Sequence, residues 1–150
     1  MGGKIKEKFT KDAIAELTKR LISYCSFSVV EIPPEPITDD KLYEKYNFIE
    51  GEKILSQIKK DSYVISLEIK GKNLSSEEFA KKINEISNSG INELLFVIGG
   101  AHGLSEEVSK RADFKLSFSK MTFTHQMARL ILIEQIYRAF KIINGENYHR

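Results

Sequence analysis

Tryptophan is absent from these 150 residues, cysteine occurs once and proline three times, and no apolar run approaches the length of a membrane span. The single cysteine, Cys25, excludes an intrachain disulfide and any multi-cysteine zinc site. Its place at the apolar end of a helical stretch predicts a buried thiol in a reducing, cytoplasmic setting. The N-terminus lacks a signal-peptide core, because Lys4, Lys6 and Lys8 alternate with short apolar residues. Charge of one sign is also scarce: Lys+Arg 23 against Asp+Glu 21 leaves +2, too little to argue for nucleic acid by itself. The three histidines, His102, His125 and His149, have neither metal-ligand spacing nor an accompanying cysteine, so no metal is expected. Neither G-x-S-x-G nor another nucleophile elbow is present to support serine hydrolysis.

What the chain does have is alternation. Lys11 to Tyr24 sets Ile14, Leu17, Leu21 and Ile22 on one helical face, with Asp12 in its first turn. Phe27 to Ile32 is β-branched and aromatic and stops at Pro33-Pro34-Glu35-Pro36, which predicts a strand ending in a loop. Asp39 or Asp40 can cap a second helix carrying Leu42, Tyr46, Ile49, Leu55 and Ile58, with Gly51 as its weak point. Tyr63 to Ile69 reads as a strand covered on both faces and closed by Gly71. Ser75 and Glu78 form a capping box for a helix that buries Phe79, Ile83 and Ile86 and ends at Gly90. Leu94 to Ile98 reads as a second central strand, Ser105 can cap a short helix, and Phe114 to Phe118 makes a final strand before a Ser119 to Thr124 loop. Met127 to Ile143 is apolar enough to be a helix buried nearly all round. The pattern predicts one α/β domain over residues 1–150, with a mainly parallel sheet and helices on both faces. At this length, roughly 70% of the unfolded surface can be buried without a disulfide or metal.

Open sheets of this class gather ligands at the carboxyl ends of their strands, which selects the loops after Leu67, Ile98 and Phe118. Gly99-Gly100-x-x-Gly103 permits close backbone approach, but a purely structural tight turn explains it as well. Arg129 interrupts an apolar helix face, where a charge is kept for a carboxylate, phosphate or substrate. An ion pair with Glu134 or Glu68 is an equal alternative. His125 reads as structural. Tyr148, His149 and Arg150 are by default a frayed terminus, yet together they can stack on and hydrogen-bond to a base. Lys110, Arg111, Lys115, Lys120, Arg129, Arg138, Lys141 and Arg150 give this third of the chain a basic lean.

Leu67 to Lys72, Phe96-Val-Ile-Gly-Gly-Ala-His-Gly-Leu104, Leu116 to Arg129, and Glu134 to Phe140 through Tyr148-His-Arg150 together resemble the RlmH family of SPOUT methyltransferases. The likeness begins at Gly3-Lys-Ile-Lys-Glu-Lys8, similar to the family's opening G-K-x-K-E, and covers nearly the whole chain in order. It implies methyl transfer from S-adenosylmethionine to N3 of a pseudouridine in bacterial 23S rRNA, on assembled ribosomes, by a cytoplasmic homodimer without metal. It also implies a trefoil-knotted C-terminal segment, a rarity among folds. Cofactor contacts carried over from the family fall on Leu67, Gly99, Phe118, Ser119, Lys120, Met121, Thr122 and Phe123. Tyr148, His149 and Arg150 match the closing Y-H-R that reaches the rRNA, and Arg129 matches the helix arginine. The resemblance makes His149 the candidate base, with Arg129 or Arg150 stabilising the N3 anion. Glu68 and Lys70 stand where the family has Asp and Arg, and Thr124 where it commonly has Pro. The family also has an apolar strand before G-K-x-K-E that is missing here, so an exposed neighbouring strand is expected.

Two rivals remain from the residues alone. A doubly wound nucleotide-binding enzyme would bind NAD, and a non-catalytic RNA-binding module would show salt-sensitive RNA affinity without cofactor.

Overall fold

The structure is a computed structural model that describes residues 2–36, 38–100 and 102–147. It contains five α-helices among these residues: α1 (Gly2–Leu21), α2 (Tyr43–Gln57), α3 (Ser76–Asn88), α4 (Glu106–Arg111) and α5 (His125–Ile143). Three strands, β1 (Tyr63–Asn73), β2 (Leu94–Ile98) and β3 (Phe114–Ser117), form one parallel sheet in the order β2-β1-β3. The chain divides into two compact units interleaved in sequence: Met1–Val29 with Ser75–Glu85 and Phe123–Arg150, and Val30–Leu74 with Ile86–Thr122. No helix among the described residues is long and apolar enough to cross a membrane.

The sheet lies in the second unit. β1 is central, and its alternating side chains Val64, Ile65 and Ser66 are all buried, as the nearly continuous apolar pattern requires of a strand covered on both faces. Val64, Val97 and Val108 form a core against which Ile54, Leu55, Ile58 and Leu104 pack, seating α2 and α4 on one face of the sheet. β2 is an edge of the described sheet rather than a second central strand, and most of its residues are only half-buried. At the amino end, Asp113 accepts from the Val64 amide (2.8 Å) and from Arg111 (3.2 Å), while Arg111 also donates to the Ser62 carbonyl (3.0 Å). That cluster ties β1 to the start of β3.

Several local expectations are met. The Ser75 amide donates to Glu78 (2.7 Å) and the Glu78 amide to Ser75 Oγ (3.1 Å), a complete capping box. Asp39 caps a 3₁₀ turn, Asp40–Leu42, that leads into α2, and Ser105 caps α4 through the Val108 amide. Gly90 follows α3 with φ +83°, a conformation that other residues rarely adopt.

Others are corrected. Helix α1 runs from Gly2, so Asp12 sits in mid-helix, and it stops at Leu21, which turns Ile22 outward. Cys25 lies beyond the helix and is half-buried, with its thiol pKa pushed up by that burial. Phe27 to Ile32 forms no regular element and joins no ladder among the described residues, and Val30 is 67% exposed. An extended segment becomes a strand only when a neighbour accepts its hydrogen bonds. Gly71 does not close β1, which continues to Asn73. Gly51 is not a weak point but a contact, since a Cβ there would lie 2.2 Å from Ser105 Oγ. β3 ends at Ser117, one residue early.

In the first unit, α5 begins at His125, capped by Thr124 accepting from the Met127 amide (3.3 Å), so the residue that replaces the family's Pro has a cap's function. Leu132, Ile133, Ile136, Tyr137 and Ala139 are buried, whereas His125 and Met127 are exposed and the rest of the helix is half-buried. The expected all-round burial is thus limited to one face. α1 packs on α5, and just beyond α1 Tyr24 stacks on Phe140 (5.8 Å between ring centres) and meets Tyr137 edge-on (5.9 Å). Tyr24 and Lys141 both donate to Glu146, holding the turn after α5.

Candidate functional site

Leu67 fixes the geometry of the strand ends. In the ladders it pairs with Ile98 on one side and with Leu116 on the other, so the chain leaving β2 at Gly99 and the chain leaving β3 at Phe118 both depart beside it. With strand order 2-1-3, the crossovers from β1 and from β2 run in opposite directions across the sheet. That reversal is the switch point at which open α/β sheets bind ligands.

Each loop is shaped by a specific constraint. After Leu67, β1 bulges away: Leu67 and Lys72 both oppose Leu116, which leaves residues 68–71 looped out before the ladder resumes. Gly71 makes the return possible, because a Cβ there would sit 2.7 to 2.8 Å from backbone atoms of Lys115 and Leu116. Inside the bulge, Glu68 accepts from Ser66 Oγ (2.6 Å) and Ser109 Oγ (3.0 Å). Those hydroxyls hold the carboxylate against β1 and α4, a local clamp. After Ile98, Gly99-Gly100 doubles back on Gly103, whose amide donates to the Gly100 carbonyl (3.1 Å). A Cβ on Gly99 would lie 2.6 Å from the Gly103 carbonyl carbon, so only glycine allows this crossing. His102 on this turn packs its ring against Tyr43 (5.7 Å).

After β3, Ser117 Oγ donates to the Ser119 carbonyl (3.1 Å), and Ser119 Oγ accepts from the Met121 amide (3.0 Å), a small serine-held turn. Asn73 Nδ2 donates to the Ser117 carbonyl (2.9 Å), tying this turn to the far end of β1. Met121 is 74% exposed at its tip.

The cofactor residues drawn from the resemblance therefore largely converge. Leu67, Gly99, Phe118, Ser119, Lys120, Met121 and Thr122 all belong to these turns in the second unit. Phe123 belongs to the first unit and is half-exposed. So does Arg129, which is half-buried on the second turn of α5 and makes interactions of its own. Glu134 accepts from Arg138 Nε (3.1 Å) and Gln135 (2.7 Å). Tyr148, His149 and Arg150 lie outside the described residues. The roles of Asn73, of the Ser66 and Ser109 pair, and of Gly71 escaped sequence reasoning because each depends on segments that are distant along the chain.

The donors present suit an adenosyl ligand better than a metal or a polyphosphate. The turns offer glycine and serine backbone, half-buried apolar Leu67 and Ile98, and no anion-cradling Gly-x-x-x-x-Gly-Lys loop. Among the described residues, no group of three or more His, Cys, Asp and Glu could hold a metal ion. The basic lean of the C-terminal third is mostly neutralised locally, with Lys110 paired to Glu106, Arg111 to Asp113, Arg138 to Glu134 and Lys141 to Glu146.

Comparison with known proteins bears on the same turns. Residues 1–149 match the family model described as "Predicted SPOUT methyltransferase". The chain is 54% identical over 155 residues to the ribosomal RNA large subunit methyltransferase H of Carboxydothermus hydrogenoformans, covering 99% of this chain and 95% of that protein. It is 52% identical over 151 residues to the protein of the same name from Clostridioides difficile, with the same coverage.

Proposed function

The chain belongs to the SPOUT methyltransferase family, and from that premise we propose that it transfers a methyl group from S-adenosylmethionine to N3 of a pseudouridine in large-subunit rRNA. The observation that carries this reading is the meeting of three strand-end turns around Leu67, each built so that backbone groups rather than charged side chains meet a ligand. The names of the relatives support the class of RNA. An NAD enzyme would want a Gly-x-Gly-x-x-Gly turn opening a helix, and Gly99-Gly100 instead crosses over Gly103 before the cap of α4.

The proposed single domain spans residues 1–150, with the knotted C-terminal segment expected of the resemblance, and works as a homodimer in the cytoplasm. Exposed Phe123 and Met127 at the start of α5, with exposed Phe9 and Ile22 in the same unit, support an apolar partner surface of that kind.

The bound cofactor supplies an electrophilic methyl carbon on a sulfonium. The chain's own work is alignment and charge. Gly99 and the turn Phe118–Thr122 hold the adenosyl end, and Leu67 adds apolar contact. With the cofactor held there, the residues' task would be to align the imide N3 with the methyl carbon for in-line displacement of the thioether, a matter of positioning. N3 reacts well only as its proton leaves, and His149 takes that proton. Arg129 and Arg150 stabilise the charge that develops on the imide. The resemblance assigns Tyr148, His149 and Arg150 to contact with the rRNA.

Thermal unfolding with S-adenosylhomocysteine, S-adenosylmethionine and NAD separates the readings, because a ligand specific to the native state raises the midpoint. The first two are expected to raise it and NAD to leave it unchanged. Mass analysis of rRNA treated with enzyme and cofactor then locates one added methyl group on a pseudouridine. Stabilisation by NAD alone, or a methyl group on any other nucleotide, overturns the proposal.

A further inference from the structure

Positive charge on the second unit falls into two groups. Lys53 pairs with Glu35, Lys59 with Glu93, Lys110 with Glu106 and Arg111 with Asp113. Lys41, Lys45, Lys60, Lys70, Lys72, Lys115 and Lys120 are exposed and have no acidic ion-pair partner among the described residues. Of these, Lys70, Lys72 and Lys115 stem from neighbouring backbone: Lys70 and Lys72 flank Gly71, whose Cβ position is 2.8 Å from the Lys115 carbonyl oxygen. Lys72 pairs in register with Leu116, the residue after Lys115. The acids nearest in sequence are engaged elsewhere: both carboxylate oxygens of Glu68 accept from serine hydroxyls, and Asp113 accepts from the Val64 amide and Arg111.

Three exposed lysines on neighbouring backbone, with no ion-paired acid among the described residues, form an arrangement suited to a counter-charge that arrives with a ligand. Lysine is a compact point charge on a flexible stem, suited to phosphate contacts that do not read sequence. The strip borders the bulge after Leu67, so a polyanion lying on it passes beside the cofactor turns. Building on the proposed methylation of rRNA, we propose that Lys70, Lys72 and Lys115 form a phosphate-binding strip that seats the rRNA backbone next to the site of methyl transfer.

The test uses the full chain and large ribosomal subunits lacking this methyl group. Affinity is measured from about 50 to 200 mM salt for the wild type, for K70A/K72A/K115A and for K70R/K72R/K115R. Three lost phosphate contacts should reduce the slope of log affinity against log salt by roughly 2 to 3, so the gap to wild type narrows on the order of 30-fold over that range. The arginine variant should keep the wild-type slope, and all three proteins should bind S-adenosylhomocysteine alike. In turnover, the alanine variant should raise KM for subunits and keep kcat. A wild-type slope in the alanine variant overturns the strip. So does a loss of S-adenosylhomocysteine affinity shared by both variants, which would assign the lysines to the cofactor site or to the fold. If the wild type transfers no methyl group to rRNA, the functional reading fails while the salt slopes still decide the strip.

Discussion

Replacing Gly99 by alanine tests the candidate site at its tightest point. The added Cβ would stand 2.6 Å from the carbonyl carbon of Gly103, 2.8 Å from its oxygen and 3.0 Å from the Leu104 amide nitrogen. Ordinary contact begins at 3.4 Å, so the two strands of the turn must separate by 3.4 minus 2.6 Å, about 0.8 Å. All three obstacles are backbone atoms, and no rotamer change can relieve them. Overpacking of this kind costs about 1–3 kcal/mol. For a chain of this size each kcal/mol lowers Tm by about 2–4 °C, so a fall of about 2–12 °C is expected. If the turn's backbone also holds the cofactor, loss of one or two hydrogen bonds should weaken S-adenosylhomocysteine about tenfold. Gly100→Ala is the matched control, because its Cβ meets only Glu50 Oε1 at 3.5 Å and its φ is not positive. That variant should keep its Tm, or gain slightly as the unfolded chain loses freedom. Scanning calorimetry and titration calorimetry read both quantities. A Gly99→Ala protein with unchanged Tm and unchanged cofactor affinity refutes the argument.

Ser75→Ala removes one half of the reciprocal cap on α3 and should destabilise the protein by about 0.5–2 kcal/mol in urea unfolding. Gly51→Ala gains about 1 kcal/mol in helix propensity but meets Ser105 Oγ at 2.2 Å and Ser105 Cβ at 2.9 Å, so a net loss is expected. Ser105→Gly should recover more stability in that background than in the wild type, where it only costs; additive effects in the double-mutant cycle would contradict the contact. Glu146 is held below its ordinary carboxylate pKa of 4.5 by hydrogen bonds from Lys141 and then Tyr24, while Lys141 is raised above 10.5, chiefly by its hydrogen bond to Glu146. The depressed acid contributes stability that is complete above about pH 4.5 and lost as pH falls through its native value. The raised base contributes stability that is complete below about pH 10.5 and lost as pH rises through its native value. Glu146→Gln should therefore be less stable than wild type between these limits, with the difference closing at strong acid. A pH-independent difference would show that the pair contributes by packing alone.

Features encoded within a few residues were legible in the sequence, and features made by distant segments were not. Ser75 with Glu78, Ser105 before Val108, and Gly90 after α3 each specify a helix end from local chemistry, and the structure forms all three. The identities of the strands followed from β-branched runs, but the order β2-β1-β3 did not, and β2 became an edge. The bulge after Leu67 depends on where Lys72 finds Leu116, a pairing across more than forty residues that no periodicity records. Phe27 to Ile32 failed as a strand for the converse reason, since its pattern is local and its partner is not. At the site, Leu67, Gly99 and the turn Phe118–Thr122 were named through the resemblance and the strand-end rule, and the ladder places them side by side. The Glu68 carboxylate binds two serines, one of them 41 residues away, a contact that no local pattern announces.

α1 packs on α5, the first helix on the last. During synthesis Leu21 emerges more than a hundred residues before Ile143, which at about 5–20 residues per second leaves the apolar side of the first helix without its mate for some 5 to 25 seconds. Chaperone capture of the nascent chain should accordingly peak on that helix, and release should coincide with termination of translation rather than with completion of the sheet.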